Sequence, residues 1–150
     1  MRTWLLTWNA ERWHWTADLY GYPELINDIA SAGRAYTKWT CGVNKSIEPG
    51  DRLFLIKLGS LPRGIVASGR AVTKVFEGTH WDQEKEAQGK KARRIVVKFD
   101  TRKDYKKDST LAMERLKELS DKYCWSAQSS GLEIPQEIAD LLEKEWANLR

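Results

Sequence analysis

Cysteine and histidine are scarce in this chain of 150 residues, with two of each. Cys41 and Cys124 stand far apart, and His14 and His80 complete no ligand spacing with them. Neither a disulfide framework nor a zinc site is expected, and no other metal or cofactor is called for. No apolar run approaches the roughly 20 residues that a membrane span needs. The opening Met1-Arg2-Thr3-Trp4 carries no signal-peptide cleavage pattern. A reduced, cytoplasmic protein with no membrane partner is therefore expected. Glycine-rich phosphate loops of the G-x-G-x-x-G or G-x-x-x-x-G-K type are missing, as are internal repeats and low-complexity linkers. Ser129-Ser130-Gly131 does not form a nucleophile elbow, and the carboxylates are scattered over polar stretches. No catalytic residue is assigned, and catalysis by this chain is not expected.

Tryptophan is what the chain has in excess: 8 residues, in a protein of net charge +4. The charge is polarised. Lys85 to Lys107 holds ten Lys/Arg and three Asp/Glu, a balance of +7, whereas Glu133 to Arg150 holds five acids and two bases, a balance of −3. A basic stretch suits phosphate neutralisation, and aromatic faces suit base stacking. A solvated hairpin beside an acidic helix would give the same counts.

At 150 residues and 41% hydrophobic composition, one domain with a single core is expected. Thr3 to Trp8 reads as a buried strand, followed by a loop from Asn9 to Tyr22. Pro23 opens a helix to about Ala32, and Gly33 stops it. Tyr36 to Cys41 and Arg52 to Leu58 read as strands, the second entered through the Glu48-Pro49-Gly50-Asp51 turn. After a turn over Gly59 to Arg63, Gly64 to Phe76 reads as one long strand, with Gly69 marking a bulge or a close backbone approach. Glu77 to Ala92 is a polar loop, and Arg93 to Phe99 a further strand. Ser109 to Leu119 reads as helix, Tyr123 to Gly131 as irregular, and Pro135 to Leu149 as a final helix with Ile138, Leu141, Leu142, Trp146 and Leu149 on its apolar face. The sum is an α+β domain built on a small, mostly antiparallel, barrel-like sheet of about five or six strands with about three helices.

Binding is better supported than catalysis. Trp4, Trp125 and Trp146 read as core. Trp39 ends a strand, Trp81 stands alone in a polar loop, and Trp8, Trp13 and Trp15 surround the end of the first strand. If the sheet curls, two or three of these rings make a cage for a flat or methylated group, with core packing as the competing role for each. Asn9, Thr40 and Ser68 are small polar groups suited to reading a base edge. Lys85, Lys90, Lys91, Arg93, Arg94 and Lys103 are candidates to hold phosphates. A base enters such a cage only when flipped out of its duplex, at a cost of a few kcal/mol that phosphate contacts offset.

The ordered set Trp4-Leu5-Leu6-Thr7-Trp8-Asn9, Lys38-Trp39-Thr40-Cys41-Gly42, Ile47-Glu48-Pro49-Gly50-Asp51-Arg52-Leu53-Phe54-Leu55, Gly64-Ile65-Val66-Ala67-Ser68-Gly69 and His80-Trp81 resembles the EVE domain family. That family belongs to the PUA-like superfamily, with the YTH domains. Gln128-Ser129-Ser130-Gly131 followed by Ile134-Pro135 resembles the EVE variant found ahead of HNH nuclease domains in modification-dependent restriction enzymes. The resemblance implies a PUA-like barrel that flips a modified base into an aromatic pocket. By similarity to YTH domains, Trp39 and Trp81 would be the cage walls, with polar contacts from Trp8-Asn9 and with Thr40 alongside. It further implies DNA carrying methylated or hydroxymethylated cytosine as the partner, more than RNA, and an HNH nuclease on a continuation or a partner chain. A PUA- or YTH-like reader of N6-methyladenine or structured RNA, and a small nucleotide-processing enzyme, are the competing readings.

Overall fold

The computed structural model describes residues 1–9, 31–41, 46–59, 62–79, 91–102, 111–126 and 130–148. Among them, eight strands and two helices follow in the order β1 (Thr3–Asn9), β2 (Ala35–Thr40), β3 (Arg52–Leu58), β4 (Gly64–Ala71), β5 (Phe76–Thr79), β6 (Lys91–Arg102), β7 (Leu111–Ala112), α1 (Met113–Leu119), β8 (Leu132–Ile134) and α2 (Gln136–Asn148). They build one sheet in the order β2-β6-β4-β3-β1-β8, with β5 beside β6 and β7 beside β4. The fold is α+β. The central pair β1–β3 is parallel, with Trp8 beside Lys57, and the other described pairs are antiparallel.

Alternation along the strands sorts the apolar residues into two cores. Trp4, Leu6 and Trp8 of β1 face inward with Leu53 and Leu55 of β3, Trp39 of β2, and Ile95, Val97 and Phe99 of β6. Leu5, Phe54, Ile56 and Ile65 face outward, where Leu116 of α1 and Ala139, Leu142 and Trp146 of α2 cover them. Each fully buried large side chain contributes about 1.5–3 kcal/mol. A sheet apolar on both faces is thus stable only when curled over one core and roofed over the other.

Among the described residues, the ends of the sheet, β2 and β8, do not pair with each other. The curl is fastened by a side chain instead. Trp39 Nε1 of β2 donates to the Thr7 carbonyl of β1 at 3.2 Å. β8 pairs only with Thr3–Leu5 of β1, so the Thr7 peptide lies beyond its reach. The Thr7 N–H donates to Ser130 Oγ at 3.1 Å. Both polar groups of an otherwise unpaired strand edge are thereby satisfied.

A second anchor is Asp51, which is 6% exposed. Its Oδ2 accepts from Trp4 Nε1 at 2.9 Å and from the Glu48 N–H at 3.0 Å, and its Oδ1 accepts from the Arg2 N–H at 3.2 Å. Burial on its own would raise the carboxyl pKa, but these three donors and the N-terminal charge outweigh it and hold the group below its ordinary value of 3.8.

Several sequence expectations are corrected. The strand expected over Gly64 to Phe76 ends at Ala71, and after a break over residues 72–75 a second strand, β5, starts at Phe76 and takes the first residues of the expected Glu77 to Ala92 loop, so that β4 and β5 run in succession along β6. At the break the Thr73 hydroxyl accepts from the Val96 N–H at 3.2 Å, in place of a ladder bond. The start of the expected Ser109–Leu119 helix is strand at Leu111–Ala112, which pairs with Ile65 and Gly64. A side chain at position 64 would overlap the Leu111 carbonyl, so glycine there permits the approach. The three-residue strand β8 has no counterpart in the sequence reading, and Leu141 is 44% exposed rather than part of the helix's apolar face. Of the Pro23–Ala32 helix only Ser31 and Ala32 are described, and both are helical. Gly69 does mark a close approach: the register shifts between Ser68 and Gly69, and a Cβ at 69 would overlap the Lys98 carbonyl.

Substitution at two of these positions tests the account. Gly69→Ala is expected to lower unfolding free energy by about 1–3 kcal/mol or more, through a backbone clash that cannot relax locally, as measured by urea denaturation. Asp51→Asn is expected to lower it by about 1–3 kcal/mol at neutral pH. Because the folded-state pKa of Asp51 is depressed, its contribution is complete above 3.8 and fades as pH falls through the folded value. Thermal melts of the two proteins should therefore converge below pH 3.8 and stay separated above it.

Candidate nucleic-acid-binding site

The curl brings three of the eight tryptophans into one interior. Trp4, Trp8 and Trp39 belong to the same buried cluster, with Cys41 beside them. Trp39 is only 2% exposed. Its N–H is committed to Thr7, so what it retains for a ligand is its π face. In the free protein that face is covered.

Beside Trp8 lies a residue that sequence reasoning does not single out. Lys57 takes the inward position after Leu53 and Leu55 on β3 and is 1% exposed. Its ammonium donates to the Pro62 carbonyl at 3.0 Å and stands 5.9 Å from the centre of the Trp8 ring. Burial, with a smaller effect from the nearby Arg63 charge, lowers its pKa. The sequence does hold a signal for it: Arg52 to Leu58 alternates, and a lysine two residues beyond Leu55 must point inward.

The remaining candidates divide. Asn9 and Thr40 are half-buried and take strand positions that alternate with Trp8 and Trp39, so they stand on the opposite face from those rings. Ser68 is corrected outright. It is fully buried beneath α2, where its Oγ accepts from Trp146 Nε1 at 2.8 Å and from the Arg52 guanidinium at 3.3 Å. It lies opposite Phe54 on the outer face of the sheet, so it does not share the interior with Trp39. Trp146 and Trp125 are core residues, as expected, at 6% and 2% exposed.

The two phosphate candidates whose side chains are described take opposite faces of β6. Arg93 shares the inward parity of Ile95 and Val97, while Arg94 takes the outward one. Trp13, His14, Trp15, His80, Trp81, Lys85, Lys90 and Lys103 lie outside the described residues, as does the side chain of Lys91.

Cys41 is the nucleophile candidate nearest the interior. Burial pushes its thiol pKa up to about 11, against the smaller opposing effects of the Arg93 and Arg94 charges and a backbone hydrogen bond. It stays protonated and inert at neutral pH. Among the described residues, no three His, Cys, Asp or Glu side chains group to hold a metal ion.

No family model matches the sequence, and no curated protein does. Solved structures do. Human THYN1, determined in complex with DNA containing 5-methylcytosine, superposes with a TM-score of 0.67 at 15% identity, covering 97% of this chain and 97% of that one. A protein from Leishmania major gives 0.64 at 14% identity over 97% of this chain and 94% of that one. A mutant of the ZmASCH protein from Zymomonas mobilis gives 0.51 at 10% identity over 96% and 98%. These likenesses extend over nearly the whole chain, so the chain shares the fold of these structures.

Trp39→Phe keeps an aromatic ring in the interior but removes the donor to Thr7. It is expected to lower unfolding free energy by about 2–4 kcal/mol, from an unpaired buried carbonyl and a smaller ring. Urea denaturation measures it, and a loss below about 0.5 kcal/mol, less than one ordinary hydrogen bond contributes, would show that the indole does not fasten the sheet.

Proposed function

We propose that this chain is a reader of modified bases in DNA, taking up one flipped-out methylated or hydroxymethylated cytosine. The observation that carries the reading is the likeness over 97% of the chain to human THYN1, whose structure holds 5-methylcytosine DNA. The interior supports it. A stacking base needs an aromatic face held at a fixed angle, and the bond to Thr7 holds the Trp39 ring at its edge. Stacking on such a ring contributes about 1–3 kcal/mol. Trp81 is the proposed second wall, with Trp8 nearby and Trp13 and Trp15 as further aromatic contacts. Because Trp39 is 2% exposed, the base reaches it only by displacing the groups that cover it. That requirement favours a nucleotide already loosened from its duplex.

The reading extends to biology. The domain acts as a cytoplasmic specificity module of a restriction or defence system, binding without turnover, with cleavage supplied by an HNH nuclease on a fused or partner chain.

Fluorescence anisotropy with labelled duplexes that differ in one cytosine tests the base preference. Wild type is expected to favour the methylated or hydroxymethylated duplex by about tenfold or more, the worth of one added carbon in an apolar pocket. Trp81→Ala should abolish that preference while leaving the melting temperature within about 2 °C, as for a surface substitution. Equal affinity of wild type for modified and plain duplexes would refute the reading, and a strong preference for a methylated RNA would replace it with an RNA reader.

A further inference from the structure

Among the described residues, α2 packs over β3 and the middle of β4, whereas the outward Tyr36 and Lys38 of β2, Lys98 of β6 and Arg70 of β4 are exposed. Three ladder registers align one row across this face: Tyr36 of β2 pairs with Lys98 of β6, Lys98 with Arg70 of β4, and Arg70 with Arg52 of β3. Their inward neighbours Val97, Phe99, Ala71 and Leu53 all belong to the interior core. The row is therefore on the outer surface throughout. One position along β2 on the same face is Lys38, opposite Val96.

The row is electrostatically unusual. Like charges directly opposite each other on a sheet are destabilising, yet Lys98 faces Arg70 and Arg70 faces Arg52. Arg52 is compensated, by Glu143 at 2.7 Å and Asp100 at 3.9 Å. The others are not. Lys38 and Lys98 are exposed and make no ion pair among the described residues. Arg70 is exposed and donates to the Gly50 carbonyl at 3.1 Å and to Met1 Sδ, with no carboxylate partner among the described residues. Asp100 is the acid on the same face of β6, and it already faces Arg52. In the midst of the cations stands Tyr36, 52% exposed, with Val72 also open at 41%. Adjacent strands lie about 4.8 Å apart, so Lys98 and Arg70 are near neighbours and Lys38 extends the charge along β2.

A row of cations without carboxylate partners among the described residues, beside an exposed aromatic, is destabilising in the free protein, and a bound polyanion offsets that cost. We infer that Lys38, Lys98 and Arg70, with Tyr36 among them, form the surface that holds the phosphodiester backbone of DNA. Arg94 stands on the same outward parity further along β6 and extends it. This inference rests on the proposed reading for its choice of polyanion, but it gathers the phosphate contacts from three separate strands, of which only β6, with Lys98 and Arg94, belongs to the Lys85 to Lys107 basic segment.

Salt titration of binding tests it, with a duplex carrying one 5-methylcytosine and its unmodified counterpart. The variants are Lys38→Gln/Lys98→Gln, the same pair with Arg70→Gln, and a control Lys117→Gln/Lys122→Gln on exposed positions away from the row. The double variant should weaken binding to both duplexes about tenfold, and should make the log–log salt slope shallower by about 1.8, or 0.9 for each phosphate no longer neutralised. Adding Arg70→Gln should bring the change to about 2.7. The ratio between modified and plain duplexes should stay as in wild type. An unchanged slope in the double variant overturns the inference, as does an equal change in the control, which would mean that net charge and not position matters. Failure of the base reading has a different signature: wild type binds through the row but without preference between the two duplexes. If wild type binds neither duplex, both fail together.

Discussion

The hydrogen bond from the Trp39 indole to the Thr7 carbonyl is the constraint on which the rest of this structure depends. It joins two strands that lie four places apart in the sheet, and it does so where the backbone ladder has run out. Without it, β1 would present a buried carbonyl with no partner, and the interior face carrying Trp4, Trp8 and Trp39 would have no reason to close on itself. With it, one aromatic ring serves as wall and clasp together. Its edge is spent on structure, which leaves its face as the part that can meet a ligand.

This division recurs across the molecule. The sheet has an interior lined with aromatic rings and one buried lysine, an outer region roofed by helices, and an outer region left bare and basic. Asp51 fastens Trp4 inside, while Ser68 fastens Trp146 and Arg52 outside. Both of these buried polar side chains satisfy an indole N–H, which allows a small domain to bury large aromatics without stranding their donors. The surfaces proposed to be functional are those that this network does not consume: the face of Trp39, the neighbourhood of Lys57 and Trp8, and the exposed cations on β2, β4 and β6.

Much of this is legible in the residues, for identifiable reasons. Arg52–Leu58 has the bounds of β3, since a charged turn leads into it and a glycine follows it. Trp146 reads as core from its place on the final helix's apolar face, and Gly69 reads as a close approach because a strand-interior glycine needs a reason. What escapes depends on partners distant in sequence. β8 is three residues long and exists only because β1 offers an edge. Leu111 satisfies a helical pattern and a strand pattern equally, and Gly64 decides between them. Ser68 reads as available because a strand sequence does not reveal that its face is covered by a helix residue 78 positions away. The cation row is invisible as a run, because its members sit at 38, 70 and 98 and only the registers align them.

The central claim is that an indole, and not a strand pair, closes this sheet. Hydrogen exchange of the Trp39 Nε1–H, followed by NMR after transfer to deuterated buffer, tests it most directly. A donor buried in the closing contact should exchange only through global unfolding, at the pace of the slowest amides of β3. Exchange as fast as that of a solvent-exposed indole would contradict the account, since the clasp would then be open in the native state.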